Sequence, residues 1–243
     1  MDPKGKVALI TGGARIGQVV AQALAAHGCA LALTYRDSRE AAEATAHSVR
    51  AAGAQAIVIA ANATDEAQIS AAVKDVANQL GRLDILINMA STYIKTPHAS
   101  AADWNAALDT NARSAFLFST YAAPIMKAGG GGRIVNVSDW LVISGRPHYQ
   151  GYTPYYVSKA AVAALTESMA LDLAPDILVN SIAPGPILPP PNLTLEEDEE
   201  VLAATPLARW GGAQEIARAI LFLIETEFVT GESIRVDGGR HLL

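Results

Sequence analysis

Three side chains in this sequence are placed to move a proton. Tyr155 and Lys159 stand four residues apart, one turn along a shared helix face. A phenol titrates near pH ~10 and is inert at neutral pH unless its ionised form is stabilised; a nearby ammonium can supply that field. Asp139 precedes the pair, at the mouth of the strand-like run IVNVSDWLVI, Ile134 to Ile143. An ionised carboxylate only accepts hydrogen bonds and repels a developing alkoxide. At an effective dielectric of about 20, two unit charges ~4 Å apart interact by roughly 4 kcal/mol, nearly three decades in rate. Asp139 therefore argues against ordinary ketone reduction. It suits reduction of a C=N bond, where no oxyanion forms and the nitrogen needs a proton.

A second set of residues points to a nucleotide. The segment TGGARIG, Thr11 to Gly17, follows the first apolar run and opens into a helix. Strand, glycine turn and helix N-terminus together make a site for a pyrophosphate, because the backbone approaches closely and amides meet the charge. Gly12, Arg15, Ile16 and Gly17 are its candidates. The second run ends in LTYRDS. A carboxylate at that tip would select NAD; here Thr34, Tyr35, Arg36, Ser38 and Arg39 suit a 2′-phosphate, hence NADP. Asp37 is the competing residue, since it could turn to the ribose.

These residues need a scaffold, and the chain supplies one. Strand-like runs at Val7–Thr11, Ala30–Tyr35, Ala56–Ala60, Leu83–Asn88, Ile134–Val137, Leu178–Ile182 and Ser233–Val236 alternate with helical patterns such as Val19–His27, Arg39–Ala52, Glu66–Leu80 and Val157–Leu173. Continuous apolar strands between helices predict an α/β fold, one doubly wound Rossmann-type parallel sheet of about seven strands with helices on both faces. The 243 residues fit a single domain, 1–243. Ligands of such sheets bind beyond the carboxyl ends of the strands, where Gly12, Asn88 and Asp139 fall. Pro184–Thr205 is the only long irregular stretch, and its EEDEE run, Glu196 to Glu200, reads as a helix start or a loop. A formal charge of −6 argues against nucleic acid or anionic lipid as partners. The apolar runs are too short to span a membrane, and a lone Cys29 fits a reducing cytoplasm.

With Tyr155-x-x-x-Lys159, Asn88-Met89-Ala90, Asn111, Pro184-Gly185 and Val236-Asp237-Gly238-Gly239 in this order, the chain resembles the short-chain dehydrogenase/reductase family over nearly its whole length. The resemblance implies that Tyr155 exchanges the proton and that Lys159 also reaches the nicotinamide ribose. It implies that Asn111 holds a water linking the lysine to solvent and that Asn88 shapes the strand end beneath the cofactor. Asn62, beside Ala63, stands where relatives carry an adenine-contacting Asp, and its amide oxygen could accept from the adenine amine. Ala90, Pro184, Gly185 and Ile187 complete the cofactor set. The phosphate loop departs from the family by being one residue shorter and one glycine poorer, with Arg15 in that region.

Most members of the family carry serine three residues after the Asn of the fifth strand; here that position is Asp139, and Ser138 comes one too early. Pteridine reductases, including the dihydromonapterin type, resemble the chain at this position. Gly151–Lys159 matches their GYTxYxxxK segment, and the ending DGGRHL is similar to theirs. The resemblance makes Tyr93 a ring that stacks on a pterin, Ser91 a substrate contact, and Arg15 a bridge between cofactor phosphate and substrate. Tyr152 and Tyr156 lack the spacing to Lys159 and are assigned to packing or substrate contact. The residues by which the Asp139–Tyr155 interval exceeds the family's are assigned to the Ser144–Gln150 loop. The expectation is an NADPH-dependent pteridine reductase without a metal, a homotetramer, whose Pro186–Thr205 loop closes over the substrate. The alternative is a carbonyl reductase, for instance of 3-oxoacyl thioesters, with Ser138 or Ser144 as donor. A cofactor-bound scaffold without turnover is a third reading. Against these stand plainer assignments: Asp139 as a helix N-cap or loop residue, Tyr93 as core, Met89 as packing, and Arg240 and His241 as a frayed tail rather than residues that reach a neighbouring subunit's site.

Overall fold

The computed structural model describes residues 1–12, 14–144 and 149–243. Strands β1 (Val7–Thr11), β2 (Ala30–Tyr35), β3 (Ala56–Ala60), β4 (Ile85–Asn88), β5 (Gly132–Val137), β6 (Ile177–Pro184) and β7 (Ser233–Val236) form one sheet. Its order is β3-β2-β1-β4-β5-β6-β7, and every pairing is parallel. The order reverses between β1 and β4, so a crevice opens beyond Thr11 and Asn88, which lie side by side. Each crossover carries helix: α1 (Ile16–Ala26), α2 (Arg39–Ala51), α3 (Glu66–Leu80), α4 (Ala101–Leu108), α5 (Ser114–Ala128), α6 (Trp140–Ser144), α7 (Thr153–Leu173), α8 (Leu195–Ala203) and α9 (Ala213–Glu225).

The strands are apolar throughout because both of their faces are covered. Ile10 packs under α1 and α9 with Leu24, Ile216 and Ile220. Its neighbour Leu9 faces the other layer, with Val73 of α3, Phe118 and Met126 of α5, and Ile134. Helix ends follow local chemistry. Asp65 accepts from the Gln68 amide at the start of α3, and Gly81, at φ 80°, ends it in the left-handed region. Among the described residues no helix is long and apolar enough to cross a membrane.

Most element boundaries agree with the sequence reading to within a few residues. Helix α1 begins at Ile16 rather than Val19, and α7 begins at Thr153 rather than Val157. Pro154 in the first turn of α7 presets the helix there, although apolar periodicity is weak. The stretch 184–205 is not irregular throughout. Thr194 and Glu197 form a reciprocal capping box that starts α8, so the acidic run is a solvated helix start.

Candidate active site

A cleft of about 1270 Å³ lies at the crevice, lined by the carboxyl ends of the strands and the segments that follow them. Asp139 sits at the end of β5 with its two oxygens divided. Oδ1 accepts from the Leu141 amide at 2.9 Å, and Oδ2 accepts from the Tyr155 phenol at 2.5 Å. The N-cap assignment therefore holds for one oxygen only; the other serves the cleft. Both serines proposed as donors have their hydroxyls on backbone carbonyls, although Ser138 lines the cleft. Ser138 Oγ donates to the Lys159 carbonyl and Ser144 Oγ to the Leu141 carbonyl. Helix α7 brings Tyr155 and Lys159 to the same floor, both buried.

The electrostatics differ from the sequence expectation. Burial pushes the Tyr155 phenol well above its ordinary value, and the Asp139 charge pushes it further the same way. The lysine was expected to favour the phenolate, but the Lys159 ammonium donates to the Val137 carbonyl at 2.8 Å, and its own pKa is lowered to about 8 by burial. The Asp139 carboxyl is raised by burial, against opposing hydrogen bonds from Tyr155 and Leu141 and the charge of Lys159. The phenol thus holds its proton and shares it with a carboxyl whose own proton affinity is enhanced.

The nucleotide end fits a dinucleotide. Gly12 adopts φ 64°, and a Cβ there would lie 3.0 Å from the Ala90 Cα, so only bare backbone fits this cradle. Among the described residues no side chain caps the N-terminus of α1 at Arg15, so its first amides are of the kind an anion can bind. Ile16, Tyr35, Arg36, Ser38, Ala63 and Ala90 line the cleft, as do Pro184, Gly185 and Ile187. Arg36 Nε donates to Asp37 Oδ2 at 2.5 Å, so the carboxylate that competed for the ribose engages the guanidinium instead.

Several expected contacts move. Gly17 lies within α1, off the main cleft, where its bare Cα packs near Ile10 and Met89. Asn88 stands behind the cleft, its amide donating to Ser119 and Asn136, so it joins β4 to β5 and α5 and shapes the strand end from beneath, without lining the cleft as a cofactor contact. Asn62 lines the cleft, and its amide oxygen accepts from the Thr64 amide and hydroxyl. Asn111 spends both amide protons on Ser158 Oγ and Thr92 O, and its oxygen accepts from the Thr92 amide. Its side chain clamps the Tyr93 segment to α7. One residue of the Thr11–Gly17 segment, Gly13, and most of the Ser144–Gln150 loop assignment fall outside the described residues.

At the substrate end Ser91 lines the cleft and Tyr93 is 55% exposed, which excludes the core assignment for Tyr93. One face of Tyr93 stacks on Tyr152, with centroids 4.7 Å apart and planes 16° from parallel, and Tyr155 meets it edge-on at 4.7 Å. Arg15 takes φ 64°, rare for a residue with a side chain, and donates to the Pro189 carbonyl at 2.8 Å, so it reaches the segment after β6 rather than only the phosphate loop. Two features escaped the sequence reading. A π-helical turn, Asp109–Arg113, carries Asn111 between α4 and α5 and has no periodic signature. Arg240 is buried and lines the cleft, and His241 bonds Asp237 Oδ2 through its Nδ1 at 2.7 Å, so the end of the chain is not frayed.

A doubly wound sheet with a glycine cradle at its reversal and a Tyr–Lys–Asp floor defines an NAD(P)-dependent oxidoreductase. The chain belongs to the short-chain dehydrogenase/reductase family. A family model described as enoyl-(acyl carrier protein) reductase matches residues 13–241. A 3-oxoacyl-[acyl-carrier-protein] reductase FabG of Staphylococcus aureus is 35% identical, covering 98% of each chain. A short-chain dehydrogenase of Burkholderia cenocepacia solved with NADP is 33% identical, with TM-score 0.91 over 99% of each chain. A 7α-hydroxysteroid dehydrogenase solved with NADH is 34% identical, with TM-score 0.91, covering 97% of this chain and 94% of that one. None of these three is named a pteridine reductase, and the Staphylococcus relative bears the name of the carbonyl alternative.

Proposed function

We propose that this chain is an NADPH-dependent reductase of a C=N bond in a pterin-like heterocycle. The observation that supports it is Asp139 Oδ2 at 2.5 Å from the Tyr155 phenol, with both neighbouring serine hydroxyls turned to backbone carbonyls. When bound, the dinucleotide supplies a hydride. The residues of the chain do the rest. Asp139 and Tyr155 hold the proton that the ring nitrogen takes, and Asp139 accepts from amino groups on the ring. Lys159, held by the Val137 carbonyl, keeps a cation beside them. Tyr93 and Tyr152 offer an aromatic surface at the mouth, with Ser91 beside it. Arg36 at the tip of β2 favours the 2′-phosphate of NADPH.

The second reading, reduction of a 3-oxoacyl thioester, is favoured by the relative named FabG. It requires a hydroxyl donor in place of the Asp139 charge. The test is NADPH consumption with 7,8-dihydropterins and, separately, with a 3-oxoacyl thioester. Turnover of a dihydropterin, lost in Asp139→Ala and Tyr155→Phe, is the expected result. Turnover of the thioester alone, surviving Asp139→Ala and lost in Ser138→Ala, overturns the pterin reading in favour of the second.

A further inference from the structure

Arg240 sits in a short 3-10 turn, Arg240–Leu242, three residues from the end of the chain. Charged side chains so near a terminus are ordinarily solvated. Arg240 is instead 8% exposed and lies on the cleft. Its Nη1 donates to the Val201 carbonyl at 2.9 Å and to Thr205 Oγ1 at 3.3 Å, and its Nη2 donates to the Tyr149 hydroxyl at 3.2 Å. The guanidinium lies 5.5 Å from the centroid of the Trp140 ring.

These contacts join separate walls of the substrate end. Val201 belongs to the last turn of α8, where carbonyls lack helical donors and the helix dipole favours a cation. Trp140 follows Asp139 directly and opens α6. Tyr149 meets Tyr152 edge-on, next in the ring cluster to Tyr93. The base of the arginine is equally fixed. Asp237 accepts from the Gly239 and His241 amides, and Gly185 packs so closely on Asp237 that a Cβ would stand 2.5 Å from its Cβ.

We propose that Arg240 is a positioning residue that fixes the substrate wall of the cleft by tying the C-terminal turn to α8 and Trp140. The proposal rests on the reading that this end of the cleft receives the reducible substrate, but not on which substrate it is. Hydrogen exchange of the α8 amides in Arg240→Met tests it without any substrate. Exchange across α8 is expected to speed up roughly tenfold or more, the effect of losing a charged hydrogen bond, while the sheet amides stay unchanged. With the substrate that the wild type reduces, KM rises by a similar factor and kcat and NADPH affinity change less than about twofold; Arg240→Lys recovers part of both effects. Unchanged α8 exchange overturns the proposal, as does a loss of protection spread evenly through the sheet. Neither outcome bears on the pterin reading, which the substrate panel decides.

Discussion

Asp139 is where residue chemistry separates the two readings of this reductase. Its carboxyl accepts from the Tyr155 phenol, so on the proposed function its charge, not its bulk, would act on the reacting atoms. Asp139→Ala is expected to lower dihydropterin kcat/KM by about 10²-fold or more with little change in melting temperature. Asp139→Ser removes the charge and supplies a donor; it is expected to raise activity on a 3-oxoacyl thioester by up to nearly three decades, since roughly 4 kcal/mol of repulsion disappears. Lys159 gives a second, pH-dependent prediction. Its folded pKa of about 8 lies below the unfolded value, so between those two pH values the unfolded chain binds a proton that the native chain does not. This lysine's contribution to stability is therefore present above the unfolded pKa and is lost as pH falls through about 8. Subtracting the unfolding free energy of Lys159→Met from that of the wild type across this range isolates the slope. A difference that does not vary with pH contradicts the assignment. Activity runs the other way: kcat/KM for NADPH, which reports the free enzyme, falls as pH rises past about 8 and the ammonium is lost.

Among the elements, β1 and β4 bear most on the site, because their ends form the crevice. They are joined at the opposite end by Asp84, 1% exposed, which accepts from the Val7 amide at 2.9 Å and from Arg82 at 2.6 and 2.7 Å. Asp84→Ala leaves these donors without their acceptor and is expected to cost about 3 kcal/mol. In a chain of this size that lowers the melting temperature by roughly 6–12 °C. Scanning calorimetry reads it, and a change under about 2 °C would mean that the packing of β1 against β4 does not depend on Asp84. Helix α8 is held more locally. Thr194→Ala removes one half of the capping box, at about 1 kcal/mol, and should loosen the start of α8 without a measurable change in global unfolding. Faster exchange confined to the first turn of α8 is the expected sign.

For the whole molecule, binding energy feeds into stability. At about 100 times its Kd, a dinucleotide that binds only the native state adds ~2.7 kcal/mol, or roughly 5–11 °C in melting temperature. NADPH is expected to give a larger shift than NADH at equal concentration, and Arg36→Ala should bring the two together. Equal shifts in the wild type would sink the assignment of the 2′-phosphate to Arg36. The Arg36–Asp37 pair is exposed on both sides, 60% and 76%, so it contributes little to stability itself and leaves the guanidinium available.

Periodicity and composition by themselves determined the parallel sheet, because strands buried on both faces must be apolar along their length. Glycine spacing located the tight turn at the crevice, since backbone contact at Gly12 admits no side chain. Tyr155 and Lys159 were legible for the same kind of reason, four residues being one helical turn. Tertiary structure decided what depends on contacts between distant segments. Only the fold brings Asp139 to the phenol, turns Asn88 and Asn111 into internal clamps, and carries Arg240 back across the chain to α8. Protonation is decided in the same way: the phenol's affinity for its proton is set by burial and by a carboxylate sixteen residues away, and neither can be read from helical spacing.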